Sequence, residues 1–172
     1  MWVLREAGGQ DAARMAALES EIFPDPWTEN GIRETLCQNN TAVIGAWKDG
    51  KLAGYVILYY VLNEGEIARI AVDAQNRRQG AAGLLFERAL EVCGDRGIER
   101  LMLEVRESNE AAIAFYRKCG FTRDGLRRGY YEKPKEDAVL MSRDCRRAVK
   151  SFGNQVAALT AVPTGMRETK QI

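Results

Sequence analysis

Three apolar runs, Thr41–Trp47, Leu52–Leu62 and Ile67–Val72, follow one another with only short polar breaks, and this succession constrains the fold more than any other feature of the chain. The first break, KDGK, contains Asp49-Gly50, a pair that tolerates the positive φ angles of a two-residue hairpin turn. The second, LNEGE, turns the chain into the third run. The three runs are therefore expected as antiparallel neighbours in one sheet.

The flanking segments supply the other layers. Val3–Glu6 reads as a short strand. Asp11 is a candidate N-cap for a helix carrying Met15, Ala16, Leu18 and Ile22 on one face. FPDPW (residues 23–27) ends that helix through its prolines, and Thr28 is placed to cap a second helix through Ile32 and Leu36. Beyond the loop DAQNRRQG, the residues Ala82, Leu85, Phe86, Ala89, Leu90 and Cys93 outline an amphipathic helix ending near Gly94 or Gly97. Leu101, Leu103 and Val105 alternate with Met102, Glu104 and Arg106 as in a strand. SNEAAIAFYRKCG reads as a helix started by Ser108 or Asn109 and stopped by Gly120 at C′. Phe121–Arg123 and Ala138–Met141 read as two short closing strands. The expected fold is mixed α/β: a mainly antiparallel sheet with helices on both faces.

The 172 residues suit one domain with a substantial core. No apolar run approaches the roughly 20 residues that span a bilayer, so no membrane association is expected. MWVLREAGG does not read as an export signal, and Cys37, Cys93, Cys119 and Cys145 lack CxxC spacing. Both point to free thiols in the cytoplasm. The chain contains no histidine, which excludes Ser-His-Asp and Cys-His catalysis and the commonest zinc sites. Any general base must be a carboxylate, a lysine, a tyrosine, a thiolate or water. Residues 145–172 hold five Lys/Arg against one acid, for +4; subtracting this from the net +1 leaves residues 1–144 at −3. The expected division is a domain over 1–144 and a mobile basic extension over 145–172, with a weak helix at 151–160. The domain carries no nucleic-acid charge signature, and only the extension could touch RNA.

The stretch DAQNRRQGAAGLLF runs a polar loop into a helix start, where unpaired N–H groups and the helix dipole favour an anion. Gly80 and Gly83, with Ala81 and Ala82 between them, keep the amides approachable, while Arg77 and Arg78 add charge. A pyrophosphate site is one reading; small residues needed for helix–sheet packing is the other. The pattern is neither a Walker A loop nor a dinucleotide GxGxxG. Glu104 is an unusual residue for a strand: an exposed edge residue, a partner for Arg106 or Arg127, or a general base. Tyr116, beside Phe115, reads first as a packing aromatic. Tyr130-Tyr131 are expected at a hairpin tip, where they either form a binding surface with Trp27 or pack on the last strand. Glu64, Glu66 and Asp137 are amine-attracting or merely solvated charges. Cys119 has no evident activating base, so a covalent acetyl-cysteine step is not expected.

IARIAVDAQNRRQGAAGLL resembles the coenzyme-A-binding motif of the GNAT superfamily of N-acetyltransferases, Arg/Gln-x-x-Gly-x-Gly/Ala, here Arg77-x-x-Gly80-x-Ala82. LMLEVRESNEAAIAFYRKCGF is similar to the matching stretch of the RimI group, which acetylates the N-terminal alanine of small-subunit ribosomal protein eighteen. GLRRGYYEKPKEDAVLM resembles that group's terminal hairpin. IFPDPWTENGI resembles its Phe-x-Pro-Trp-Ser substrate-side loop, with one residue, Asp25 or a neighbour, inserted. The likeness covers about Arg5 to Ser142. Ala82 stands where the group usually has glycine, and Arg69 where asparagine is common.

The resemblance implies acetyl-CoA as co-substrate, no metal, and the N-terminal segment of a ribosomal protein as partner. It implies that Ile70, Ala71 and Val72 align the pantetheine and acetyl group, with the Val72 amide polarising the thioester carbonyl. Arg78, Gln79, Gly80, Ala81, Ala82 and Gly83 would bind the pyrophosphate, and Asn109 would contact the coenzyme while capping its helix. Glu104 would be the general base, directly or through water, and Tyr116 the general acid. The alternatives are an acetyltransferase acting on other N-termini or a small amine, and a non-catalytic coenzyme-A-binding regulator.

Overall fold

The structure, a computed structural model, describes residues 1–146. The expected helix at 151–160 and nearly all of the basic extension lie outside the described residues. In chain order the elements are β1 (Trp2–Glu6), a single 3-10 turn (Gly9–Asp11), α1 (Ala12–Ile22), α2 (Glu29–Leu36), β2 (Thr41–Lys48), β3 (Lys51–Val61) and β4 (Glu64–Val72). A second 3-10 turn (Ala74–Asn76), α3 (Ala81–Asp95), β5 (Arg100–Arg106), α4 (Glu110–Lys118), β6 (Thr122–Glu132) and β7 (Lys135–Asp144) follow. The strands form one seven-stranded sheet in the order β1-β2-β3-β4-β5-β7-β6. Every neighbouring pair is antiparallel except β4 with β5.

Local chemistry accounts for most of these boundaries. Asp49 and Gly50 adopt φ of 50° and 77°, the double positive turn that joins β2 to β3. Thr28 caps α2 by accepting the Gly31 N–H at 3.1 Å. Asp11 occupies the N-cap position of α1, but its carboxylate accepts from Gly8 N at 2.9 Å and braces the 3-10 turn instead of the helix. The β3–β4 turn is tighter than expected: Val61 pairs with Glu64, so β4 begins three residues before Ile67.

The closing strands depart furthest from expectation, since β6 and β7 run well beyond Phe121–Arg123 and Ala138–Met141. β6 is an edge strand of sequence TRDGLRRGYYE, whose charges and glycines suit an edge and hide the usual strand composition.

Alternation sorts the sheet residues into two cores. On one face Leu85, Phe86 and Ala89 of α3 and Tyr116 of α4 pack with Val56, Ile70, Leu103 and Val105. On the other, Met15 and Leu18 of α1 and Ile32 of α2 pack with Val43, Tyr55, Ile57 and Ala71. The ladder between β4 and β5 extends only from Glu64–Glu66 to Arg100–Met102, three residue pairs. Past that point the two central strands part, and a notch opens in the middle of the sheet.

Candidate active site

One wall of the notch is the C-terminal half of β4. Asp73 N–H donates to Ala53 O at 2.7 Å, so strand alternation turns the Val72 N–H and carbonyl away from β3 and into the notch. The Val72 carbonyl accepts from Arg77 Nε at 3.2 Å. Ile70 shares that edge of the strand, whereas Ala71 pairs with Tyr55 of β3.

The loop after β4 is built for close approach by an anion. Asp73 Oδ1 accepts from Gln75 N at 3.1 Å and sets the 3-10 turn. Arg78 and Gly80 then adopt φ of 59° and 85°, left-handed positions of the kind that gather successive amides into a concavity. A Cβ on Gly80 would meet nothing within 4 Å, nor would one on Gly83; the space before α3 is open, and the demand for glycine at 80 is conformational. Ala81, the first residue of α3, is buried and Ala82 half-buried. Gln79 is a brace: its carbonyl accepts from Trp2 Nε1 at 3.1 Å, its Oε1 from Lys48 Nζ, and its Nε2 donates to Gln75 O at 2.9 Å. Open amides at the start of a four-turn helix, with the Arg78 charge beside them, fit a diphosphate.

The opposite wall is β5 with the β6–β7 hairpin. Glu104 pairs with Leu140 of β7 on one side and borders the notch on the other; its side chain is not exposed but 14% accessible, and Arg127 Nη1 lies 3.1 Å from its Oε1, the partnership expected. Tyr130-Tyr131 are not at the hairpin tip, because β6 continues to Glu132 before the turn. Tyr131 is buried with its ring 4.1 Å from the Arg106 guanidinium carbon, and Tyr130 stands edge-on to it at 5.1 Å. Between the Arg127–Ala138 and Tyr131–Glu136 pairs, residues 128–130 face Asp137 alone. This bulge re-aims the strand. Gly129 at φ 58° allows it, and Asp137 Oδ1 holds it by accepting Gly129 N–H at 2.7 Å. The bulge sets Tyr130 against the Glu104 carboxylate. Burial, then the hydrogen bond and charge of Glu104, push the Tyr130 phenol well up. Asp137 is thus a backbone brace, and Glu64 lies at the paired end of β4, 4.0 Å from Arg100. Of the three charges considered for an amine, Glu66 alone is felt at Tyr130.

A strap, the segment read from sequence as a helix break and by resemblance as a substrate-side loop, crosses the notch. Arg69 Nη2 of β4 donates to Asp25 O at 2.8 Å, and Asp25 Oδ1 lies 3.9 Å from Arg106 Nη2 of β5. FPDPW therefore spans from one parted strand to the other. Arg69 and Glu19 are fully buried, joined at 3.1 and 2.9 Å, and Glu19 also accepts from Trp27 N at 2.9 Å and from the Tyr55 hydroxyl. The Arg69 guanidinium lies 4.2 Å from the Phe23 ring and 5.2 Å from that of Trp27. A signal for Glu19 existed: with Met15, Leu18 and Ile22 it completes an apolar helical stripe, where a lone charge needs a buried partner. Arg106, expected outward with Glu104, is buried because it donates to Pro134 O at 2.9 Å and Lys133 O at 3.0 Å.

Tyr116 enters from the other face of the sheet. It is buried between Phe115 and Phe121, each ring 5.5 Å away. Burial first, then Cys119 and Tyr131, raise its phenol well above the ordinary value. Asn109 Oδ1 caps α4 by accepting Ala112 N–H at 3.1 Å. Cys119 lines a separate cleft of about 1280 Å³ at the paired end of β4 and β5, with Arg100 and Arg143; burial pushes its thiol up. Among the described residues no cluster of His, Cys, Asp or Glu is placed to hold a metal, and no helix is long and apolar enough to cross a membrane.

Residues 12–121 match the model of the Acetyltransferase (GNAT) family. The chain belongs to that family. It is an N-acetyltransferase with acetyl-CoA as co-substrate. It is 36% identical over 140 residues to the N-alpha-acetyltransferase RimI of Mycobacterium tuberculosis, covering 78% of this chain and 87% of that one. It is 41% identical over 97 residues to the ribosomal protein bS18-alanine N-acetyltransferase of Escherichia coli, covering 55% of this chain and 66% of that one. The crystal structure of the Escherichia coli ribosomal-protein-S18-alanine N-acetyltransferase superposes with a TM-score of 0.79 at 31% identity, covering 84% of this chain and 94% of that one. The mixed fold with its mainly antiparallel sheet is the fold of that GNAT neighbour.

Proposed function

We propose that this GNAT enzyme moves acetyl from acetyl-CoA to the α-amine of an N-terminal alanine, on the cytoplasmic ribosomal protein that its relatives are named for, by direct attack in a ternary complex. The observation that carries the reading is the parting of β4 and β5, with Glu104 of β5 bordering the gap and Tyr116 packed in the core on the opposite face of the sheet. Residues 1–144 constitute the catalytic domain.

Arg78 and the amides of residues 79–83 hold the diphosphate, with Asn109 against the coenzyme. Ile70 and Val72 offer their backbone edge to the pantetheine arm, with Ala71 keeping that edge on the sheet. The Val72 N–H, turned into the notch, donates to the thioester oxygen as charge builds there. Trp27, Tyr130 and Tyr131 bound the peptide side. Glu104 takes a proton from the amine, directly or through one water. The task is modest, because an α-amine has a pKa near 8 and is partly neutral at physiological pH. As the C–N bond forms and the C–S bond breaks, Tyr116 gives its phenol proton to the departing sulfur and regains one from solvent. Its raised pKa keeps the phenol protonated beforehand, so transfer occurs only as the thiolate develops.

Incubation with acetyl-CoA and an Ala-initiated peptide, followed by thiol release and peptide mass, tests the reading. Equal release of thiol and acetylated peptide is expected. Tight coenzyme binding with no amine acetylated would overturn it.

A further inference from the structure

Glu104 meets a cation before any substrate arrives. Arg127 Nη1 lies 3.1 Å from Glu104 Oε1, in space that an ammonium donating directly to that oxygen would share. We propose that Arg127 is a placeholder for the substrate's ammonium group: it pairs with Glu104 while the peptide side is empty and is expelled when an amine binds. The inference rests on the assignment of Glu104 as the base.

The arginines facing the notch differ in how they are held. Arg69 is fully buried and bonded to both Glu19 oxygens and to a carbonyl. Arg106, 4% exposed at its side chain, is bonded to two carbonyls and a carboxylate. Arg127 is 38% exposed, and its contacts among the described residues are Glu104 and the face of Tyr130, 4.9 Å away. Of these three, Arg127 alone can withdraw into water without stranding a buried charge.

Exchange also balances the charges. Glu104 is 14% exposed, so a carboxylate left there without a cation would be poorly solvated. One positive group replaces another, and Tyr130 stays on the carboxylate throughout. The bulge at 128–130 makes the arrangement possible, because it brings Tyr130 to Glu104 while leaving Arg127 on the exposed strand edge. Selection against neutral N-termini follows: a group without positive charge cannot displace the guanidinium.

The test compares wild type with Arg127→Gln and Arg127→Lys, using a six-residue Ala-initiated peptide at saturating acetyl-CoA. Arg127→Gln removes the competitor, so peptide KM should fall about 1.5- to fivefold, the equivalent of an exposed ion pair, with kcat within about twofold. Arg127→Lys should stay near wild type. Calorimetry supplies a readout independent of turnover. With coenzyme A bound, Arg127→Gln should bind the free-amine peptide more tightly than wild type, but the N-acetylated peptide equally. A higher KM, a lower kcat at unchanged KM, or equal tightening for both peptides overturns the proposal. If wild type acetylates a different amine, the alanine reading fails and the same comparison, run with that amine, still decides the placeholder.

Discussion

The two sides of the notch each carry an arginine–carboxylate pair, and the pairs are built in opposite ways. Glu19–Arg69, behind the strap, is sealed from water and has every partner it needs from protein: a tyrosine, a backbone amide, a carbonyl and two aromatic faces. Glu104–Arg127, at the β5 wall, is one contact with a half-exposed guanidinium. The first is structural because losing either member strands a charge in a dry core; the second is exchangeable because another cation can take over.

Replacing one member of each pair measures that contrast. Arg69→Leu leaves Glu19 buried and uncompensated, and should cost about 3–5 kcal/mol in urea unfolding. Because Arg69 also anchors the strap at Asp25 O, peptide KM should rise where the protein stays folded. Glu104→Gln should cost less than about 1 kcal/mol in stability yet lower kcat by about 10²-fold or more, with coenzyme affinity unchanged. Tyr116→Phe should also cut kcat about tenfold or more without weakening coenzyme binding, and unchanged turnover would remove its role. In wild type, kcat/KM should be level below about pH 8 and fall above it, as the free α-amine loses the charge that displaces Arg127. Burial holds the Tyr116 phenol above its ordinary value, so the protonated form persists and Tyr116 adds no decline of its own before about pH 10. The smallest effect belongs to an exposed pair on α3, Arg88–Glu91. Glu91→Ala should change stability by at most about 0.5 kcal/mol and leave kinetics alone.

The same contrast separates what the sequence discloses from what it hides. β2, β3, α3 and α4 were legible because each is specified locally, by an apolar run and a turn or by an amphipathic stripe and a cap such as Asn109. The Gly80 loop was legible in residue type, and its left-handed geometry follows from that type. Glu104 stood out as a carboxylate in a strand, but its surroundings did not, since Arg127 and Tyr130 reach it only through the register of a hairpin disguised by charges and a bulge. The Glu19–Arg69 contact joins residues 50 apart in sequence. Its one local trace was the misplaced charge on the α1 stripe, and nothing in the sequence named the partner. Asp25 or a neighbour read as an insertion in a substrate-side loop; only the parting of β4 and β5 gives Asp25 something to bridge.

The bracing of Gln79 by Trp2 has a practical consequence. The indole is a built-in optical probe of the coenzyme loop, and Trp27 is one for the peptide strap. The third tryptophan, Trp47, lies buried under Arg5 at 3.6 Å. Chains keeping only Trp2 or only Trp27 would let fluorescence time the arrival of each substrate separately, giving the order of binding without a label.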